Sequence, residues 1–157
     1  MQADELEYLG NEGDLDLHGL SGMEAMRVFI EAYNAHLRSA GATPFKVIHG
    51  WGSSGEGGNV ISAKISALLD KHPDKASYAR QGGCTTIHPI SPLPTYAQCL
   101  EERILAYCAS PRSQSKIDSE FHAWGSSDVL DAIRRLKKNK MIREDWKGKH
   151  KRFVTAT

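Results

Sequence analysis

Two stretches of this chain end an apolar, alternating run in the same dipeptide. They are Asp14-Leu15-Asp16-Leu17-His18-Gly19 and Val47-Ile48-His49-Gly50-Trp51-Gly52. Each has the pattern of a buried strand whose last side chain reaches a cleft. Between them, from about Gly22 to Ala40, the residues Met26, Phe29, Ile30, Tyr33 and Leu37 follow helical spacing. Ser21 is available as an N-cap and Gly41 as a stop. Strand, helix and strand make a βαβ unit, and parallel pairing brings both His-Gly ends to one edge of the sheet. Ligands of open α/β sheets collect at that edge.

The alternation continues past the second strand, Phe45 to His49. A glycine-rich loop, Gly50 to Asn59, leads to a second helix with Ile61, Ile65, Leu68 and Leu69 on one face. A strand from Ala76 to Arg80, a turn at Gly82-Gly83 and a strand Thr85-Thr86-Ile87 complete a two-layer βαβαββ sandwich over residues 14–90. Residues 1–13 are an acidic lead-in. Residues 91–95 hold Ser91-Pro92-Leu93-Pro94, a stiff linker because closely spaced prolines resist both helix and strand. Over 96–157 the pattern predicts three helices and a hairpin. The first carries Ala97, Leu100, Ile104 and Cys108, and the second runs from Ser113 to Phe121. The third runs from Asp128 to Asn139, capped by Ser126 or Ser127. Strands Met141–Trp146 and Arg152–Val154, joined by Lys147 to His150, complete a winged helix-turn-helix pattern.

Charge separates these parts. The formal net charge is +1, but residues 1–90 carry 7 basic against 11 acidic side chains and residues 91–157 carry 13 against 8. Modules with different surfaces are the expected consequence. Cys84, Cys99 and Cys108 are odd in number and lack paired metal-ligand spacing, so reduced thiols are expected rather than a disulfide framework or zinc site. No apolar run reaches membrane-spanning length, and the acidic start differs from a signal peptide. A cytoplasmic protein without membrane partners is therefore expected.

The first module resembles the small MutS-related (Smr) domain family. The resemblance rests on Leu15-Asp16-Leu17-His18-Gly19, on His49-Gly50-Trp51-Gly52, and on Gly82-Gly83 followed by Thr86-Ile87, in that order with helices between them. Its loop from Ser53 to Asn59 is longer and richer in glycine than usual for the family. Membership would imply an α/β sandwich and, as in several members, endonuclease activity on DNA or RNA with the two motifs lining the site. The resemblance also leaves a ribosome-associated role open.

The residue types fit phosphodiester chemistry. Residues two apart in a strand share a face, so Asp16 and His18 can meet one phosphodiester together. An ordinary imidazole takes or gives a proton near neutral pH, and a neighbouring carboxylate fixes its tautomer. On RNA, His18 would deprotonate the 2′-hydroxyl while His49 stabilises charge or protonates the leaving oxygen, with no cofactor required. DNA offers no 2′-hydroxyl, which makes a divalent metal attractive. A simpler role for Asp16 is to bond a turn amide. Backbone amides around Gly50 and Gly52 suit an anion. Trp51 can stack on a base or cover the domain edge. The loop lacks the Gly-Lys-Ser or Gly-Lys-Thr ending of a nucleotide-binding P-loop, so ATP or GTP binding is not expected. In the second module, Arg134, Arg135, Lys137 and Lys138 on the third helix and Lys147, Lys149, Lys151 and Arg152 on the hairpin form a candidate phosphate-binding surface. His36, His72, His88 and His122 belong to no comparable motif. The leading expectation is an RNA-preferring endonuclease. Its alternatives are a metal-dependent DNA-nicking enzyme and a non-catalytic nucleic-acid-binding or scaffold protein, of unassigned oligomeric state.

Overall fold

The computed structural model describes residues 14–50 and 57–156. The acidic lead-in and the centre of the glycine-rich loop lie outside them. The chain divides into two compact units, Met1–Pro94 and Thr95–Thr157.

In the first unit the order is β1 (Leu15–Asp16), α1 (Gly22–Ala40), β2 (Phe45–Ile48), α2 (Gly57–Asp70), β3 (Ala76–Gln81) and β4 (Cys84–Pro89). Local chemistry sets the ends of α1. The Ser21 hydroxyl accepts from the Glu24 amide, and Gly41, at φ +64°, donates its own amide to the Leu37 carbonyl. The helix α2 starts at Gly57, inside the stretch expected to be loop. The sheet order is β1-β2-β4-β3, with β1 and β2 parallel and both β2 and β3 antiparallel to β4. One sheet face is closed and the other open. Phe45, Val47, Thr85 and Ile87 are buried, whereas their neighbours Lys46, Ile48, Thr86 and His88 are not. The closed face meets Ala25, Met26, Phe29, Ile30 and Tyr33 of α1 and Ile61, Ile65 and Leu69 of α2 in one core. Full burial of each large side chain is worth about 1.5–3 kcal/mol.

The linker is docked rather than free. Leu93 is buried, its amide donates to Asn34 Oδ1 at 2.9 Å, and Asn34 Nδ2 donates to its carbonyl at 3.1 Å. Tyr33 adds a second clasp. Its hydroxyl lies 2.7 Å from the Lys75 carbonyl and 2.9 Å from that of Ser91, and burial pushes its pKa up.

The second unit contains α3 (Tyr96–Tyr107), α4 (Gln114–Glu120), a 3-10 turn (His122–Trp124), α5 (Ser126–Lys138) and a hairpin of β5 (Ile142–Lys147) and β6 (His150–Thr155). A capping box closes α3: Thr95 accepts from the Gln98 amide while the Gln98 side chain accepts from the Thr95 amide. Two expectations change here. Gly125, not Ser126 or Ser127, is the N-cap of α5, and both serines lie within its first turn. The first hairpin strand is shifted by one residue from the expected Met141–Trp146 and the second is longer than the expected Arg152–Val154, leaving a two-residue connection, Gly148-Lys149. Leu100, Ile104, Ile117, Val129, Ile133 and Phe153 form this unit's own core.

Candidate functional site

The strand β1 ends at Asp16, short of the histidine that the pattern places at its end. Leu17 still donates its amide to the Ile48 carbonyl at 2.7 Å, and the chain then turns through His18 and Gly19, the latter at φ +84°. Asp16 controls this turn. Its Oδ1 accepts from the His18 backbone amide at 3.1 Å, the bond that shapes an Asx-turn, and lies 2.5 Å from His18 Nδ1. A carboxylate oxygen only accepts, so Nδ1 carries the hydrogen. The lone pair of a neutral His18 is thereby left on Nε2, at the end of a side chain that is 69 % exposed. Asp16 and His18 thus meet at the sheet edge, although through a turn rather than along a strand. Asp16 also performs its simpler role at the turn amide.

His49 has a different environment. It is 1 % exposed, with Nδ1 3.0 Å from the Gly50 carbonyl and Nε2 2.9 Å from Thr85 Oγ1. Since a carbonyl only accepts, Nδ1 is the donor; the neutral ring then uses Nε2 to accept from the Thr85 hydroxyl. Burial lowers the His49 pKa and the charge of Arg80 adds to this, outweighing the Gly50 carbonyl, which raises it. Both ring nitrogens are engaged within the chain. For His49 to stabilise charge or protonate a leaving oxygen, as expected from the sequence, one of these two bonds would have to open.

Neighbouring backbone completes the arrangement. The Gly83 carbonyl accepts from the amides of both His49, at 3.0 Å, and Gly50, at 3.1 Å. Gly50 has φ +85°, and a Cβ built on it would stand 4.0 Å from His18 Cβ. Thr85 and Gly83 were not among the candidates from the sequence. A signal for Thr85 was present, because alternation puts it on the face of the apolar Ile87 and a hydroxyl buried there needs a partner. Trp51 and Gly52 lie outside the described residues. On the open face Asp16 pairs with Ile48, which pairs with Cys84. Among the described residues, no group of three or more His, Cys, Asp or Glu side chains is arranged to hold a metal ion.

Many basic candidates of the second unit are engaged with acids. Arg134 pairs with Asp131 at 3.7 Å, Arg135 with Glu101 at 2.6 Å, and Arg152 with Asp145. Lys137 and Lys151 reach the same Glu144 oxygen at 2.8 and 3.9 Å, and the hydrogen bond from Lys137 holds the Glu144 pKa below the usual carboxylate range. Lys138, Lys147 and Lys149 make no ion pair among the described residues. Trp146, directly opposite Lys151 in the hairpin, is 59 % exposed. Among the described residues no helix is long and apolar enough to cross a membrane.

Comparison with curated proteins and with solved structures gives no match. The family model of the Smr domain matches residues 15–84, the span from the start of β1 to the first residue of β4. This span contains the paired Asp16 and His18, buried His49 and the Gly82-Gly83 turn, so the chain carries an Smr domain at residues 15–84.

Proposed function

We propose that this chain is an endonuclease acting on RNA, with the Asp16–His18 pair as its proton-transfer centre. The observation that carries this reading is the exposed His18 Nε2, with Nδ1 held 2.5 Å from Asp16 Oδ1. A base oriented through its other nitrogen is the arrangement that general-base catalysis needs. In the proposed step, His18 Nε2 takes the proton of a 2′-hydroxyl, whose oxygen attacks the adjacent phosphorus and expels the 5′-oxygen of the next nucleotide. Asp16 stabilises the resulting imidazolium. Water supplies the leaving oxygen's proton.

The product ends provide the test. Cleavage should persist in EDTA, leave a 2′,3′-cyclic phosphate or 3′-phosphate, and stop at a single 2′-deoxy substitution at the scissile nucleotide. Mass spectrometry reads these ends directly. A 3′-hydroxyl formed only with magnesium or manganese would replace this mechanism by metal-dependent nicking, and binding without cleavage would favour a scaffold.

The second unit fits a winged nucleic-acid-binding module in this reading. Its contribution is concentrated in Lys138, Lys147 and Lys149, which make no ion pair among the described residues, and Trp146 supplies an exposed ring for stacking. Replacing each of these lysines by alanine should lower the salt-dependence slope of binding by about 0.7 to 0.9 for every phosphate that the lysine had neutralised. An unchanged slope in the triple variant would remove the module from the nucleic-acid interface.

A further inference from the structure

The hydrogen-bond chain around His49 runs from the core to the edge of the Asp16–His18 pair. Thr85, buried on β4, donates its hydroxyl to His49 Nε2; His49 Nδ1 donates to the Gly50 carbonyl. The Gly83 carbonyl holds the amides of both His49 and Gly50, at 3.0 and 3.1 Å. Gly50, in a left-handed conformation, is the next residue toward His18: a Cβ built on it would stand 4.0 Å from His18 Cβ. Every polar ring atom of His49 is used within this chain, and its side chain is sealed from solvent. Such a residue cannot touch substrate, but it can fix what does.

We infer that His49 is a positioning residue: as a neutral ring protonated on Nδ1, it locks the Gly50 backbone against His18 and moves no proton in the reaction. The inference rests on the proposed nuclease reading for its kinetic consequence, whereas the lock itself is a property of the folded chain. Three features argue for a lock over ordinary packing. Its acceptor is the carbonyl of the left-handed Gly50, its second nitrogen is satisfied by a threonine from another strand, and the amide of the same glycine is held by the Gly83 carbonyl. A buried apolar ring would fill the space without setting the direction of that carbonyl.

The test uses the full chain with ¹⁵N-labelled histidine. Long-range nitrogen NMR should give His49 the Nδ1–H tautomer, unchanged between about pH 8 and 6, since burial disfavours the charged ring. The opposite tautomer, or a ring that titrates across that interval, would overturn the assignment whether or not the chain cleaves RNA. Kinetics test the coupling to His18. Asparagine places an amide donor near the position of Nδ1, so His49→Asn should retain kcat within a few-fold, while His49→Gln, whose donor sits further out, should lose about 10²-fold, the scale of a ~1 Å misplacement. KM should stay within about two-fold in both. A folded His49→Asn as impaired as a folded His49→Gln would refute the positioning role, and amide exchange at Gly50 covers the case of an unstable variant. Protection there should survive in His49→Asn and fall in His49→Gln; equal loss in both would also refute it. If wild-type protein cleaves nothing while the tautomer and the exchange pattern are as expected, the nuclease reading fails and the lock stands.

Discussion

The two His-Gly ends share a dipeptide, a sheet edge and parallel neighbouring strands, yet their imidazoles have opposite surroundings. His18 is 69 % exposed and tied to a carboxylate; His49 is 1 % exposed and tied to a backbone carbonyl and a hydroxyl. Phase explains the difference. In the first run the histidine follows Asp14 and Asp16 on the polar positions, out of step with Leu15 and Leu17. In the second it follows Phe45 and Val47 on the apolar positions. A two-residue period carries these phases to opposite faces of the sheet. The dipeptide therefore marks the edge, and the preceding alternation determines whether its ring is exposed or buried.

The largest expected effect of this contrast is on turnover. His18→Ala and Asp16→Ala should each slow cleavage by about 10²–10⁴-fold, the usual contribution of a positioned acid or base, with little change in RNA affinity. Single-turnover rates and binding isotherms on the same substrate separate the two quantities. Wild-type turnover in either variant would remove the pair from the chemistry.

Stability should reverse the ranking. Replacing His49 by alanine empties a buried site and orphans the Thr85 hydroxyl, so unfolding of the first unit should become easier by about 2–4 kcal/mol. His18→Ala, which uncovers no core, should stay within about 0.5 kcal/mol. Urea titration of both variants measures this directly, and equal losses would erase the distinction between them.

How much of this was legible in the sequence depends on the kind of signal. The helix α1 was readable to its ends because Ser21 and Gly41 act locally. The parallel pairing of β1 with β2 followed from the chain path, since a helix must carry it back across the sheet. The burial of the His49 ring was not read from the shared dipeptide, although the strand phase carries it. The ion pairs that engage Arg135 with Glu101 and Lys137 with Glu144 join separate elements, which a one-dimensional pattern of charges does not reveal. The start of α5 was missed because a glycine caps it where a serine side chain was expected.

A smaller effect is the acid response. His49 has a lowered pKa in the folded chain, so below about pH 6.5 the unfolded state binds the proton more readily. Its contribution to stability is therefore fully present above that pH and is lost as the pH falls toward the folded value. His49→Asn should flatten this part of the pH–stability curve. Denaturation midpoints at about pH 7.5, 6.5 and 5.5, set by buffer, provide the comparison; a wild-type curve parallel to that of His49→Asn would sever burial from the response.

The finest division is between the two glycines. Gly19 has φ +84° and Gly50 φ +85°, so alanine at either is forced into a conformation that costs about 1–2 kcal/mol. Space does not distinguish them by stability, because a Cβ meets nothing within 4 Å at Gly19 and an ordinary van der Waals neighbour at Gly50. Function should. At Gly50 that neighbour is His18 Cβ at 4.0 Å, and relief of the strain would shift the backbone held by His49 and Gly83. Gly50→Ala should therefore reduce kcat several-fold more than Gly19→Ala, although the two lose similar stability. Equal kcat values in two folded variants would mean that the Gly50 backbone can move without disturbing His18. The buried histidine would then hold a wall on which the exposed one does not depend.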